Sequence, residues 1–191
     1  MPPGKLIVIS GPSGAGKTSI CKALLEGIKN AVWSVSATTR PIRAGEIDGA
    51  SYHFLSEEEF SKREAAGEFL ETAEYVGHRY GTPRRPVDQA LQEGKSVVME
   101  IDVQGGIQVA KKAPQSVRIF VLPPNMDSLR ARLEGRKTEA REQLAKRLAE
   151  ADGEIAIARD SGSYHHFVVN DILDTTIEQV KQIIQKESRE S

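Results

Sequence analysis

Leu6-Ile7-Val8-Ile9-Ser10 is an apolar run that leads straight into glycine-rich chain. An unbroken run of that length predicts a strand buried on both faces. Over residues 17–28 the apolar positions Ile20, Leu24 and Ile28 recur every fourth residue, which predicts a helix with one buried stripe. Residues 32–36 alternate and predict a short strand, and 38–49, rich in charge, Gly and Pro, read as loop. Ser56 followed by Glu59 is a capping-box start for a helix. Residues 69–80 predict a strand pair turning near Gly77, and 83–93 a helix closed by Gly94. A second apolar strand, 96–101, ends at Asp102; a helix at 105–113 and a third buried strand at 117–122 follow, and Pro123-Pro124 stops that strand before a helix at 126–134. Leu144, Leu148, Ala151, Ile155 and Ala158 mark a long helix at about 140–159, and a strand at 166–169 and a helix at 175–186 complete the pattern. Strands separated by helices predict an α/β fold, a parallel sheet covered by helices on both faces.

Composition narrows the classes without changing that picture. With 39% hydrophobic and 28% charged residues, the 191-residue chain is long enough for one compact domain with a real core. A formal net charge of -1 disfavours nucleic-acid binding. The lone cysteine, Cys21, excludes an internal disulfide and a cysteine-rich metal site, and its place on a helix suits a small apolar residue. Residues 6–9 are too short an apolar run for a membrane span or a signal core, and no lipidation pattern is present, so a cytoplasmic protein without a membrane partner is expected.

The chemistry begins at Gly11-Pro12-Ser13-Gly14-Ala15-Gly16-Lys17-Thr18, which fits G-x-x-x-x-G-K-[ST] between a strand and a helix. Phosphate oxygens need converging backbone N–H groups, so side chains must be absent where the chain closes on them. The helix end adds positive dipole, Lys17 a point charge for the β- and γ-phosphates, and the Thr18 hydroxyl a ligand for Mg²⁺. Together with Ser19, this loop is the candidate ATP site of a P-loop NTPase-type fold.

Downstream, Arg40 and Arg43 stand three apart in a proline-stiffened loop, where guanidinium forks suit a second phosphate. Tyr52 and Tyr80 offer hydroxyls to complete that cradle. Ser36-Ala37-Thr38-Thr39-Arg40, Arg43-Ala44-Gly45-Glu46, Gly49 with Tyr52 and Phe54, Glu68-Phe69-Leu70-Glu71, Tyr80-Gly81-Thr82 and Glu100-Ile101-Asp102-Val103-Gln104-Gly105, in this order, resemble the guanylate kinase family over about residues 5–184. The resemblance implies that Arg40, Arg43, Tyr52 and Tyr80 grip the phosphate of GMP, and that Ser36, Glu71, Thr82 and Asp102 recognise its base. The hydrogen-bonding chemistry agrees. A carboxylate at Glu71 can accept the N1–H and N2–H of guanine side by side, and hydroxyls at Ser36 and Thr82 can donate to O6. Adenine presents the opposite pattern, and a site built this way rejects the wrong base by roughly 10⁴.

Glu100 and Asp102 alternate onto one face at the end of their strand. The resemblance assigns Asp102 to guanine, while Glu100 is left to order Mg²⁺ water or to hold an arginine. Arg132 and Arg136 lie four apart, on one helical face, with Arg147 following. In the family the matching region closes over ATP and brings arginines to the transferring group, and Asn170 and Asp171 resemble its adenine-side contact. Lys137 stands where glycine is common in the family, Ile42 separates Pro41 from Arg43, and Thr82 occupies a position often filled by Ser.

These features predict one domain over residues 1–191. Its core spans about 1–33, 83–134 and 160–191, with an inserted NMP-binding subdomain at about 34–82 and a mobile lid at about 135–159. The expected reaction is ATP plus GMP, and dGMP, to ADP plus GDP, in purine nucleotide metabolism, with Mg²⁺ as cofactor. An anionic acceptor oxygen needs no general base, so His53, His78, His165 and His166 are read as surface or structural residues. A kinase for another nucleoside monophosphate and a non-catalytic guanylate-kinase-like interaction module are the alternatives. Glu71 with Ser36 and Thr82 speaks against the first, the intact Gly16-Lys17-Thr18 against the second.

Overall fold

The computed structural model describes residues 4–134 and 141–189. Arg136 and Lys137 lie outside the described residues. Five strands, β1 (Leu6–Ser10), β2 (Ala31–Trp33), β7 (Ser96–Glu100), β8 (Val117–Leu122) and β9 (His166–Val169), form one parallel sheet in the order β2-β7-β1-β8-β9. β1 occupies the centre, so the chain leaving it faces the crevice beyond the strand ends where α/β sheets bind ligands.

Alternation along the buried strands sends side chains into two cores. Ile7 and Ile9 join Val98, Ile119 and Val121 on one face, under Ile20 and Leu24 of α1 (Lys17–Gly27) and Val180 and Ile184 of α7 (Leu173–Arg189). Leu6, Val8, Val97 and Met99 occupy the other face, with Val87 of α3 (Arg84–Gln92) and Val109 of α4 (Val103–Lys112). Farther along that face, Phe120 and Leu122 pack with Tyr164 and with Ala158 of α6 (Arg141–Asp160). The sheet is therefore covered on both sides, as the strand-helix alternation predicts. Leu129 and Leu133 of α5 (Met126–Glu134) pack on Ala151 of α6.

A second sheet, in the order β4-β3-β6-β5, stands beside the first. It consists of β3 (Ala37–Thr38), β4 (His53–Phe54), β5 (Phe69–Tyr75) and β6 (His78–Pro83), with α2 (Glu57–Ala65) against it. The β5–β6 turn falls at Val76 and Gly77, both with positive φ, the conformation of a tight hairpin that follows strand twist. The small sheet is not independent of the large one: Leu70 of β5 is buried among Val8, Val97 and Met99.

Two boundaries and one cap differ from the sequence pattern for physical reasons. The strand expected over 32–36 is Ala31–Trp33; Ser34 makes one more bond to Val98 O (3.0 Å), and Ala37–Thr38 then pair in the other sheet. The alternating Ser-Val-Ser-Ala pattern fits either sheet, and the available partner strands decide. The helix expected from 105 begins at Val103, because the Asp102 carboxylate accepts the N–H of Gly105 at 2.7 Å and caps it. The capping box at Ser56 is half formed. Ser56 Oγ accepts from Glu59 N, while the Glu59 carboxylate turns to Arg63.

Candidate active site

The loop from Gly11 to Gly16 leaves the centre of the sheet and enters α1. Gly16 has φ +97°, and a Cβ there would come within 2.2 Å of Asn170 Nδ2, so both conformation and space require glycine. Gly11, with φ +146°, passes as closely over the carbonyl of Val121. Lys17 curls back and donates to the carbonyls of Gly11 (2.6 Å) and Pro12 (3.0 Å). Burial lowers its pKa, outweighing the opposing pull of Glu100 and Glu154. Ser13, Gly14, Gly16, Lys17, Thr18, Ser19 and Glu100 enclose a small hollow of about 120 Å³.

Parallel pairing sets Glu100 beside Ile9, and the Thr18 hydroxyl donates to Glu100 Oε1 at 2.9 Å. Of the two acids at this strand end, Glu100 is the one joined to the loop. Asp102 faces the same cleft but spends one oxygen on the α4 cap. Among the described residues no group of three or more His, Cys, Asp or Glu is placed to hold a metal alone. A hydroxyl and a neighbouring carboxylate beside a phosphate hollow nonetheless fit Mg²⁺, which takes few protein oxygens and shares its shell with phosphate and water.

The residues expected at the acceptor phosphate gather on the small sheet and its loop. Arg40 is 7% exposed, and its guanidinium makes a two-pronged bond to Glu46 at 3.0 and 2.7 Å. It lies 5.5 Å from the ring centre of Tyr52, which meets Tyr80 edge-on. The Arg40 fork, and after it the Arg43 N–H, holds the Glu46 carboxyl below its ordinary pKa. Arg43 itself is exposed.

On the opposite strand pair, Glu71 is 4% exposed and accepts a 2.6 Å hydrogen bond from the Thr82 hydroxyl. Burial pushes its pKa up to about 7, against the lowering effect of that bond. Its other oxygen lies over Gly105, where a Cβ would come within 3.0 Å. Thr82, read from sequence as a free donor to O6, has its proton committed to Glu71. Ser36 and Thr82 line the same cleft as Lys17, Thr18 and Asp102, a space of about 630 Å³.

Other expected residues stand elsewhere. Arg132 bonds the carbonyls of Asn170 (2.9 Å) and Asp171 (3.4 Å), and Arg147 lies on α6; neither lines the central cleft. The buried Asn170 side chain donates to Ala15 O at 2.8 Å and braces the loop from beneath. Glu154, which sequence reading passed over, projects from α6 into the cleft. Burial raises its pKa to about 7, with Lys17 opposing. Its sequence signal was its place three after Ala151 and four before Ala158, within the apolar stripe, where a charged residue is exceptional. No described helix is long and apolar enough to cross a membrane.

A central-strand phosphate loop, a carboxylate on the neighbouring strand and an inserted sheet that carries Arg40, Tyr52 and Tyr80 fit a P-loop phosphotransferase of the nucleoside monophosphate kinase class. The family model for guanylate kinase matches residues 3–187. A guanylate kinase of Caldanaerobacter subterraneus is 49% identical over 181 residues, 95% of this chain and 86% of that protein. One from Lactococcus lactis is 46% identical over 184 residues, covering 96% and 88%. The crystal structure of guanylate kinase from Anaplasma phagocytophilum superposes with a TM-score of 0.74 at 32% identity, over 98% of this chain and 88% of that one. The chain belongs to the guanylate kinase family.

Proposed function

We propose that this protein transfers the γ-phosphoryl group of ATP to GMP, and to dGMP, giving ADP and GDP. The observation that carries the reading is a single cleft that Gly11, Ser13, Lys17 and Thr18 line together with Ser36, Thr82 and Asp102, with the buried Glu71 bonded to Thr82. Donor phosphates and acceptor base therefore have chemically distinct groups in one space.

Catalysis is positioning plus charge neutralisation. The loop amides and Lys17 hold the donor phosphates, Lys17 exchanging its two loop carbonyls for phosphate oxygens. Thr18 and Glu100 are the groups that would hold Mg²⁺, whose charge would neutralise the donor phosphates. Arg40 and Arg43 with Tyr52 and Tyr80 take the acceptor phosphate; Glu46 has already turned the Arg40 fork. Glu71 reads N1–H and N2–H as the carboxylate. Asn170 serves ATP by supporting the loop. Arg132, Arg136 and Arg147 reach the reacting groups on lid closure, residues about 135–159 moving against the core while the part of the 34–82 subdomain outside its 69–72 anchor on α4 folds in from the acceptor side. Closure excludes water, the competing acceptor. The cytoplasm is the compartment in which this reaction meets both nucleotides.

An ADP-release assay with Mg-ATP tests this against GMP, dGMP, AMP, CMP and UMP. Turnover is expected with GMP and dGMP alone. Lys17→Ala is expected to lower kcat by at least ~10²-fold, the scale for loss of a group stabilising developing charge. Turnover of another monophosphate in place of GMP removes the assigned base contacts. Turnover of none removes the enzyme.

A further inference from the structure

β5 is an edge strand of the small sheet, and edge strands leave a row of backbone groups without a strand partner. Here a core helix fills that edge. The Gln108 carboxamide of α4 accepts from Thr72 N at 3.1 Å and donates to Thr72 O at 2.8 Å, as a neighbouring peptide would. One turn on, Lys112 Nζ donates to Phe69 O at 2.9 Å. These two side chains lie four apart on one helical face, and the backbone they grip brackets Glu71. Between the grips, Leu70 is sunk into the core cluster with Val8, Val97 and Met99. Gly105, on the same helix, supplies the space for Glu71 Oε2.

Among the described residues, no hydrogen bond ties the Arg40 or Tyr52 side chain to a core helix, while Tyr80 lies on β6, paired with β5. Arg40, Glu46 and Tyr52 bond and pack among β3, β4 and their loop. The acceptor site is thus divided between two anchorages: its phosphate end rides on the outer part of the small sheet, and its base-reading carboxylate is fastened to α4.

We propose that Gln108, with Lys112, locks the 69–72 segment of β5 to the core and so sets guanine specificity, Gln108 acting as a positioning residue for Glu71. This rests on Glu71 being the base-reading group. A carboxylate that accepts two parallel hydrogen bonds must keep both oxygens in register with the ring edge. Loosening of Thr72 moves both oxygens out of that register, and the bond to the 2-amino group is one of the two that it weakens. IMP lacks that amino group, so the ratio of kcat/KM for GMP over IMP measures the register directly.

The test uses the full chain with Gln108→Met, which keeps the length of the side chain but removes donor and acceptor, and Gln108→Ala. Without nucleotide, hydrogen exchange at the Thr72 amide is expected to accelerate at least ~10-fold in both variants, the loss of one protecting hydrogen bond. In turnover, the GMP:IMP ratio is expected to fall ~10-fold, the scale of one hydrogen bond to a charged group, with KM for ATP within about twofold of the parent. Unchanged exchange at Thr72 overturns the lock. An unchanged GMP:IMP ratio, or equal rises in the KM values for GMP and ATP, overturns the specificity role and leaves Gln108 a general packing residue. Failure of the parent protein to phosphorylate GMP removes the functional reading and the specificity role with it; the exchange result still rules on the lock.

Discussion

Glu71 concentrates the conflict between stability and binding. It is nearly fully buried, and burial raises its pKa to about 7 from the ordinary value of 4.5. The folded state therefore binds this proton more tightly than the unfolded chain. The stabilisation from this linkage is fully present below about pH 4.5, declines as pH rises toward 7, and is lost above it, where folding buries the charged form. Glu71→Gln removes the buried charge while keeping an oxygen for the Thr82 hydroxyl. It is expected to raise the stability of the nucleotide-free protein at pH 8 by about 1–3 kcal/mol and to have little effect near pH 5. Denaturant melts at the two pH values check this; equal or lower stability at pH 8 refutes it. The same substitution is expected to weaken GMP binding, since the ionised carboxylate is the form that accepts two donors.

Among elements, α4 carries more of the site than its place outside the cleft wall suggests. Its cap is Asp102, its first turn makes room for Glu71 at Gly105, and its second and third turns grip β5 through Gln108 and Lys112. Asp102 caps α4, and the proposed base contact would be a second role separable from the cap. Asn caps helices about as well as Asp, so Asp102→Asn is expected to keep stability within about 0.5 kcal/mol while raising KM for GMP. Asp102→Ala loses the cap as well and is expected to cost about 1 kcal/mol in a denaturant melt. Equal stability losses in the two variants would show that the cap contributes nothing. At α2, the Ser56 cap was readable from sequence, but the turn of Glu59 toward Arg63 was not, since an i,i+4 partner competes for the same carboxylate.

For the whole molecule, ligand linkage supplies the check. A ligand at 100 times its Kd stabilises the native state by about 2.7 kcal/mol, which for a chain of this size raises Tm by roughly 5–10 °C. GMP is expected to produce such a shift without ATP, if the acceptor site is formed in the free protein as Arg40, Glu46 and Tyr52 suggest. The shift is expected to be larger at pH 8 than at pH 6, because GMP must find Glu71 ionised and the pKa of that group lies at about 7. A shift independent of pH would remove Glu71 from the base contacts; a shift with AMP in place of GMP would reassign the pocket.

The sequence by itself determined the alternating architecture, because unbroken apolar runs and four-residue periodicities are local patterns that few folds satisfy. It determined the phosphate loop too, since the spacing of Gly11, Gly16, Lys17 and Thr18 is itself the chemistry. Short strands without a pattern of their own were decided by tertiary structure: Ala37–Thr38 pair where β6 and β4 offer free edges. So was the sharing of protons and charges within the site. That Thr82 gives its hydrogen to Glu71, that Glu46 rather than solvent faces Arg40, that Glu154 enters the cleft and that Gln108 substitutes for a strand all join residues distant in sequence or on different turns. Hydrogen bonds and burial depend on which groups the fold brings within about 3 Å, and no local pattern encodes that distance.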